Sequence, residues 1–205
     1  MFLAFVAVAL VASAPLFGGQ LSRVGDLRFR GVPVLVGALA LQVVVISVWQ
    51  SPDPAVAAGL HVFTYALAAV FLWWNRRIVG VPLVALGAAL NGVAITVNGG
   101  TLPASGAAVA RSGFHVAQDH FANSGTLVHP HLAFLGDVFV TPAFLPFRNV
   151  YSVGDVVIVL GAAICLHVVS GSRLVDPTRL LAACVLQPVA PARGRHRRTA
   201  GAVSR

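Results

Sequence analysis

The sequence predicts an all-α membrane protein: a polytopic helical bundle of five spans with a short outer re-entrant or interfacial segment. Three observations carry this reading. Charged residues make up 10% of the chain and hydrophobic ones 58%, against roughly 25% charged in an ordinary soluble domain, so too little polar surface exists to cover a fold of this size in water. The apolar residues gather into five runs long enough to cross a hydrocarbon core of about 30 Å at about 1.5 Å per residue. All 14 basic residues are Arg and all 6 acidic ones Asp, and no Arg falls inside a run, so loops separate cleanly from helices. A typical cytosolic globular protein is excluded.

The first run, Met1 to Phe17, ends in Ala12-Ser13-Ala14, which imitates a signal-peptidase site. No basic leader precedes it and Pro15 would follow the cut, so it reads as a retained helix. The second, Val32 to Trp49, carries Pro33 in its first turn, where a missing N–H costs nothing. The short connection Gln50 to Pro54 makes the third run, Ala55 to Trp74, its antiparallel neighbour. The fourth, Ile78 to Val97, carries Pro82 in the same early position. Its small residues Ala85, Ala88, Ala89 and Gly92, spaced by three and four, predict close backbone approach and a central place in the bundle. Trp49, Trp73 and Trp74 fall at run ends, where an indole suits the headgroup layer. The fifth run is Val153 to Val169, and it alone contains an Asp, Asp155.

Arginines set the orientation. Twelve of them lie between runs one and two (Arg23, Arg28, Arg30), between three and four (Arg76, Arg77) and after run five, whereas the other side holds Arg111 and Arg148. The positive-inside bias places the chain in a cell membrane with its amino terminus outside and its carboxyl terminus in the cytoplasm. Residues 1–187 then form one membrane helical domain, including an outer segment 98–151 and a cytoplasmic surface helix near 177–187 that begins at Asp176-Pro177. Residues 188–205 form a flexible basic tail. The expected partner is the lipid bilayer. Nucleic acid is not expected, because no nucleic-acid fold accompanies the basic tail, and no protein partner is named by any motif. Cys165 and Cys184 lie too far apart to suggest a disulfide framework or a cysteine metal site.

The outer segment opens with the turn-rich Asn98-Gly99-Gly100-Thr101-Leu102-Pro103. Its later part, His131 to Phe147, is apolar but broken by Asp137, Pro142 and Pro146, so it predicts a lid packed against the outer ends of the fourth and fifth runs rather than a span. His115, His120, His129 and His131 crowd this segment with Asp119, yet none has the His-x-x-x-His spacing that places two imidazoles on one helix face, and no metal is expected. His61 and His167 lie inside runs, where polar packing is the expected role. Asp155, in the first turn of the fifth run, and Asp137 lie on the same side of the membrane. Two readings stand for them: each caps its own helix, or the two share a proton at one site, one as acid and one as base. Asn98, Asn149 and Ser152 are the candidate supporting groups, and Gly99 and Gly100 the accompanying turn. No phosphate loop, dinucleotide fingerprint, serine nucleophile elbow or paired-cysteine motif is present, and no cofactor is expected.

The set Asn98-Gly99-Gly100 with Pro103, then Gly136-Asp137, then Asn149-Val150-Tyr151-Ser152-Val153-Gly154-Asp155, resembles an uncharacterised family of small bacterial multi-pass membrane proteins, a domain-of-unknown-function family. The resemblance covers nearly the whole chain up to about Gly171, with Leu102 where the family usually carries Met, and implies architecture and candidate residues without an activity. Residues 136 to 165 alone resemble lipoprotein signal peptidase. Its first catalytic Asp precedes the last helix, as Asp137 does, and its second opens that helix near the outer surface, as Asp155 does. Here Asn149 stands six residues before Asp155 rather than three, Gly154 replaces Ala, the peptidase's Gly-Asn-x-x-Asp-Arg motif is absent, and five runs stand against four spans. The functional expectation is an accessory or structural membrane protein. The alternatives are an intramembrane aspartic hydrolase using Asp137 and Asp155 and, third, a small-solute or ion carrier.

Overall fold

Each apolar run becomes a helix whose ends follow local chemistry. The computed structural model describes residues 2–48, 53–113, 123–145 and 148–175. Trp49, the connection 50–52, His115, Asp119, His120, Cys184, the surface helix expected near 177–187 and the tail 188–205 lie outside the described residues. Helix α1 is Phe2–Leu16, and the single turn α2 is Ser22–Gly25. Helix α3, Val32–Val43, is prolonged by a π-helical turn, Val44–Val48. Helix α4, Pro54–Trp74, starts where the Asp53 side chain accepts from Ala55 N–H at 2.9 Å, with proline in the first turn. Helix α5 is Val81–Val97. Both α3 and α5 begin Gly-Val-Pro, and both glycines, Gly31 (φ 73) and Gly80 (φ 89), hold the left-handed conformation that turns the chain into the helix. The last helix, α7, is Val153–Ser170.

Two of these helices, over Ala55–Trp74 and Val153–Ser170, are long and apolar enough to cross a membrane. Phe5–Leu16, Val32–Ile46 and Val81–Val97 are shorter apolar helices. The structure is therefore mostly helical, with two membrane-length and three shorter apolar helices among the described residues.

Helix α5 is central: it packs most extensively on α7 and also on α4, while α3 lies against α4 and α1 against α7. The residues that permit this differ from the stripe read in the sequence. Gly80, the N-cap of α5, and Gly87 within it face Gly161 and Gly154 on α7, each pair seven residues apart in antiparallel register. A Cβ on Gly87 would lie 2.5 Å from Gly154 O, and one on Gly161 would lie 2.6 Å from Val84 N. Ala85, Ala88, Ala89 and Gly92 instead line a groove between α4 and α5.

The segments bearing Arg23, Arg28, Arg30, Arg76, Arg77 and Arg173 gather at the end of the bundle where α1, α4 and α7 finish and α3 and α5 begin. Asn75, the C-terminal cap of α4, binds them together: Arg30 N–H donates to its Oδ1 at 2.8 Å, and its Nδ2 donates to Arg30 O and Phe71 O, each at 2.8 Å. Gln20 N donates to Ser170 O at 2.8 Å and Arg173 N to Phe17 O at 3.0 Å. A second buried polar node closes this end. Ser13 Oγ donates to Leu10 O at 2.5 Å, so it accepts from His167 Nε2 at 3.1 Å. The other ring nitrogen, Nδ1, is hydrogen-bonded to Ser172 Oγ at 2.9 Å. His167 thereby ties α1 to α7 with both ring nitrogens hydrogen-bonded.

At the opposite end the crossover from α5 to α7 departs from the all-helical expectation. Strand β1 (Leu102–Pro103) pairs in parallel with β2 (Ser124–Gly125), and β3 (Asp137–Val140) pairs antiparallel with β4 (Val150–Ser152), with an irregularity between Asp137 and Phe139. A short helix α6, Gly106–Ser112, and a 3-10 turn, Ala133–Leu135, lie between them. The part expected to re-enter or lie at an interface is therefore partly strand. Val138-Phe139-Val140 favours extended backbone, and Pro142 removes a donor that a helix would need. The crossover does sit on the bundle: Leu102 and the partly buried Leu135 pack with Ala94, Ile95, Val62 and Tyr65. Its outer side stays apolar, with Phe134 66% and Phe144 84% exposed.

Candidate functional site

The site forms where α7 begins beneath the crossover. The spacing Ser152-x-x-Asp155 is a capping box: Ser152 Oγ accepts from Asp155 N–H at 3.0 Å, and Asp155 Oδ2 accepts from Ser152 N–H at 2.9 Å. Across the interface, Asn91 of α5 joins both partners. Its Nδ2 donates to Asp155 Oδ1 at 2.9 Å, and its Oδ1 accepts from Ser152 Oγ at 2.8 Å. Asn91 and Ser152 are both buried. Gly154 makes room for this bridge, because a Cβ there would overlap Asn91 Oδ1 and lie 2.7 Å from Gly87 O. Asp155 thus uses one oxygen to hold α7 to α5 and the other to cap α7 itself.

Asp137 caps no helix. It opens β3 in register with Ser152 of β4, is 5% exposed, and accepts from Ser124 Oγ at 2.5 Å, while its backbone carbonyl accepts from Ser105 N at 3.0 Å. Gly136 before it lies so close to Pro103 O that no side chain could replace its hydrogen, so the Gly-Asp and Asn-Gly-Gly-x-x-Pro segments touch. Burial pushes the Asp137 carboxyl up to about 6; the Ser124 hydrogen bond opposes the rise and the nearby Asp155 charge adds to it. The two carboxylates are therefore within electrostatic reach of each other, and Tyr65 of α4 is within reach of both.

The supporting residues divide. Ser152 reaches Asp155. Asn98 does not: its Nδ2 donates to Ala94 O at 2.7 Å and to His131 O at 2.8 Å, and its Oδ1 accepts from His131 N at 2.8 Å, so it fastens the crossover to the end of α5. This is the same arrangement that Asn75 makes with Arg30 at the other end. Asn149 contributes its carbonyl, which accepts from Thr141 N and Oγ1, each at 3.0 Å. Gly99 (φ 67) has open space around it, whereas Gly100 (φ 93) leaves no room for a side chain against Ala58 and offers its carbonyl to His61 Nδ1 at 2.8 Å. A carbonyl only accepts, so Nδ1 carries the His61 proton. Sequence reasoning missed Asn91 and Ser124. Asn91 had a signal, as the one amide within the fourth apolar run; Ser124, a hydroxyl in a polar loop, had none. His129 and His131 are exposed, and no cluster of three or more His, Cys, Asp or Glu that could hold a metal occurs among the described residues.

A family model matches residues 26–167, about two thirds of the chain and the whole of this site. The chain belongs to DUF5317, a family of unknown function. No curated protein and no solved structure matches it. In this DUF5317 chain the matched region includes Asn91, Asp137, Ser152 and Asp155, whereas α1 and the arginine-bearing turn α2 precede it.

Asp137 makes the stability of this DUF5317 chain depend on pH. A carboxyl whose folded pKa is raised binds its proton more tightly in the native state. Its stabilising contribution is therefore complete below the unfolded value near 4 and is lost as pH rises through about 6. Raising the value from 3.8 to about 6 corresponds to at most about 3 kcal/mol. Thermal melting in detergent between pH 4 and 7 should show stability falling across that window, and Asp137→Asn should flatten the fall. An unchanged pH profile in the variant would remove Asp137 from this role.

Proposed function

We propose that this DUF5317 protein is a five-span integral membrane protein, amino terminus outside and carboxyl terminus in the cytoplasm, with an accessory or structural role. Its outer crossover closes one end of the bundle. The observation that carries the non-catalytic reading is the engagement of both Asp155 oxygens, by Asn91 Nδ2 and Ser152 N–H. A general base needs a lone pair aimed at substrate or water, and each oxygen of this carboxylate already accepts a hydrogen bond from its own fold. The topology is supported by the gathering of the described loop arginines at one end of the helices, opposite Arg111 and Arg148.

Membrane orientation is tested by cysteine labelling in intact cells after Cys165 and Cys184 are replaced by alanine. Gly106 and Gly25 both have open space for a side chain. An impermeant thiol reagent should label Gly106→Cys and spare Gly25→Cys until the cells are opened. The reverse pattern would sink the orientation, and labelling of both in intact cells would sink the span count.

A second reading, an aspartic hydrolase with Asp137 as the acid, is favoured by one observation: a buried carboxyl raised to about 6 beside a second carboxylate. It separates from the first by the Asp→Asn variants. In a deletion strain with a phenotype, accessory function predicts complementation by Asp155→Asn at normal membrane level. Hydrolysis predicts loss of complementation by both Asp137→Asn and Asp155→Asn.

A further inference from the structure

Between α4 and α5 runs an open apolar groove of about 700 Å³. Its walls include Ala66 and Ala69 on α4 and Ala85, Ala88, Ala89 and Gly92 on α5, side chains that stop at Cβ or before it and leave a channel between larger groups such as Tyr65 and Val93. Thr96, near its far end, turns its hydroxyl back to Gly92 O at 2.7 Å and keeps the lining apolar. From Pro82 to Val97 the α5 wall extends about 22 Å at 1.5 Å per residue, more than the depth of one leaflet, about half of a 30 Å hydrocarbon core.

Among the described residues charge enters this groove at one end. Arg76 lies at its mouth, with its guanidinium 4.0 Å from the Trp73 ring centroid and one N–H donating to Trp73 O at 2.8 Å. Among the described residues no acidic side chain lines the groove, and Arg77 follows at the same helix end. A cation at the head of an apolar channel at least one leaflet deep is complementary to an anionic amphiphile. A neutral helix of a second copy would cover the channel and leave the cation without a counter-charge.

We propose that this groove binds one anionic phospholipid of the inner leaflet, its phosphate on Arg76 and one acyl chain along the Ala and Gly wall. The guanidinium keeps donors for a phosphate beyond the one given to Trp73, and basic pockets between spanning helices on the cytoplasmic side have this headgroup preference. The proposal rests on the membrane orientation given above. It also explains why the small-residue stripe of α5 is not used against α7: its partner is lipid.

Trp73 is the reporter. The full chain, with Trp49 and Trp74 replaced by phenylalanine, is reconstituted into phosphatidylcholine vesicles containing a fixed fraction of brominated phosphatidylglycerol or of brominated phosphatidylcholine, and tryptophan quenching is compared. Brominated phosphatidylglycerol should bind about fivefold more tightly at this site, the effect of about 1 kcal/mol for one basic residue near an anionic surface. Arg76→Gln should abolish the preference, Arg76→Lys should retain it in part, and Arg111→Gln should leave it intact. Ala89→Phe should fill the groove and reduce quenching by both lipids. Equal quenching by the two lipids in protein that floats with the vesicles would overturn the lipid site alone, whereas protein that fails to float would overturn the membrane reading beneath it. A dimer in mild detergent that Ala89→Phe disperses, with quenching unchanged, would assign the groove to a second copy and overturn the proposal.

Discussion

Replacing Gly154 by alanine should destabilise the protein by about 3 kcal/mol or more, the upper range for forcing a methyl group into a packed interface. The added Cβ would overlap Asn91 Oδ1 and approach Gly87 O to 2.7 Å, and on the Gly87 side the obstruction is helix backbone, which cannot rotate away. Either α7 moves off α5, or Asn91 swings out and leaves the Asp155 bridge. Rotating Asn91 would relieve only the side-chain clash and would break its bonds to Asp155 and Ser152, whereas the Gly87 carbonyl yields only if α7 moves off α5. Gly106 supplies the control: nothing lies within 4 Å of a Cβ placed there, and Gly106→Ala should stay within about 0.5 kcal/mol of the parent. Thermal unfolding of the two variants in one detergent measures the difference. A Gly154→Ala protein that melts with its parent would mean that α5 and α7 are not in this register.

Asp155→Ala should be nearly as costly, about 2 to 4 kcal/mol, because it strands two donors at once, Asn91 Nδ2 and Ser152 N–H, at about 1 to 3 kcal/mol for each buried group left unpaired. Asp155→Asn should cost less than about 1 kcal/mol. The new amide can give its oxygen to Ser152 N–H, and Asn91 can flip so that its own oxygen accepts from the new Nδ2 while its Nδ2 turns to Ser152 Oγ. That hydroxyl has a second lone pair and still accepts from residue 155 N–H, and the loss is confined to its own hydrogen, which gives up Asn91 Oδ1 as acceptor. Paired unfolding measurements on the two variants read this contrast directly. Equal losses from Ala and Asn would show that the carboxylate charge, rather than the hydrogen-bond pattern, is what the site requires.

The local rules of the chain were open to inspection before any coordinates. Apolar runs are visible because helical burial needs many consecutive residues of one kind, and their ends are visible because glycine and proline act on their own backbone. Gly31-Val32-Pro33, Gly80-Val81-Pro82 and Asn98-Gly99-Gly100 all mark helix boundaries where the structure has them. The Ser152-x-x-Asp155 box is equally local, since all four of its participating atoms lie within one turn. The strands of the crossover were not legible, because elements of two to four residues carry no measurable period.

What the sequence by itself determined is therefore the set of helices, their terminal chemistry and the segregation of arginines away from the apolar runs, each a property of residues close together along the chain. Only the tertiary structure decided which of two small-residue rows on α5 makes the close contact. Both rows have helical spacing, and the choice falls to Gly80 and Gly87 because α7 presents Gly161 and Gly154 at the same interval in antiparallel register. It decided likewise that Asn91, 64 residues before Asp155, completes that carboxylate's hydrogen bonds, and that Ser124 meets Asp137. A hydrogen bond across an interface depends on the relative rotation and register of two elements. No spacing within either one encodes that.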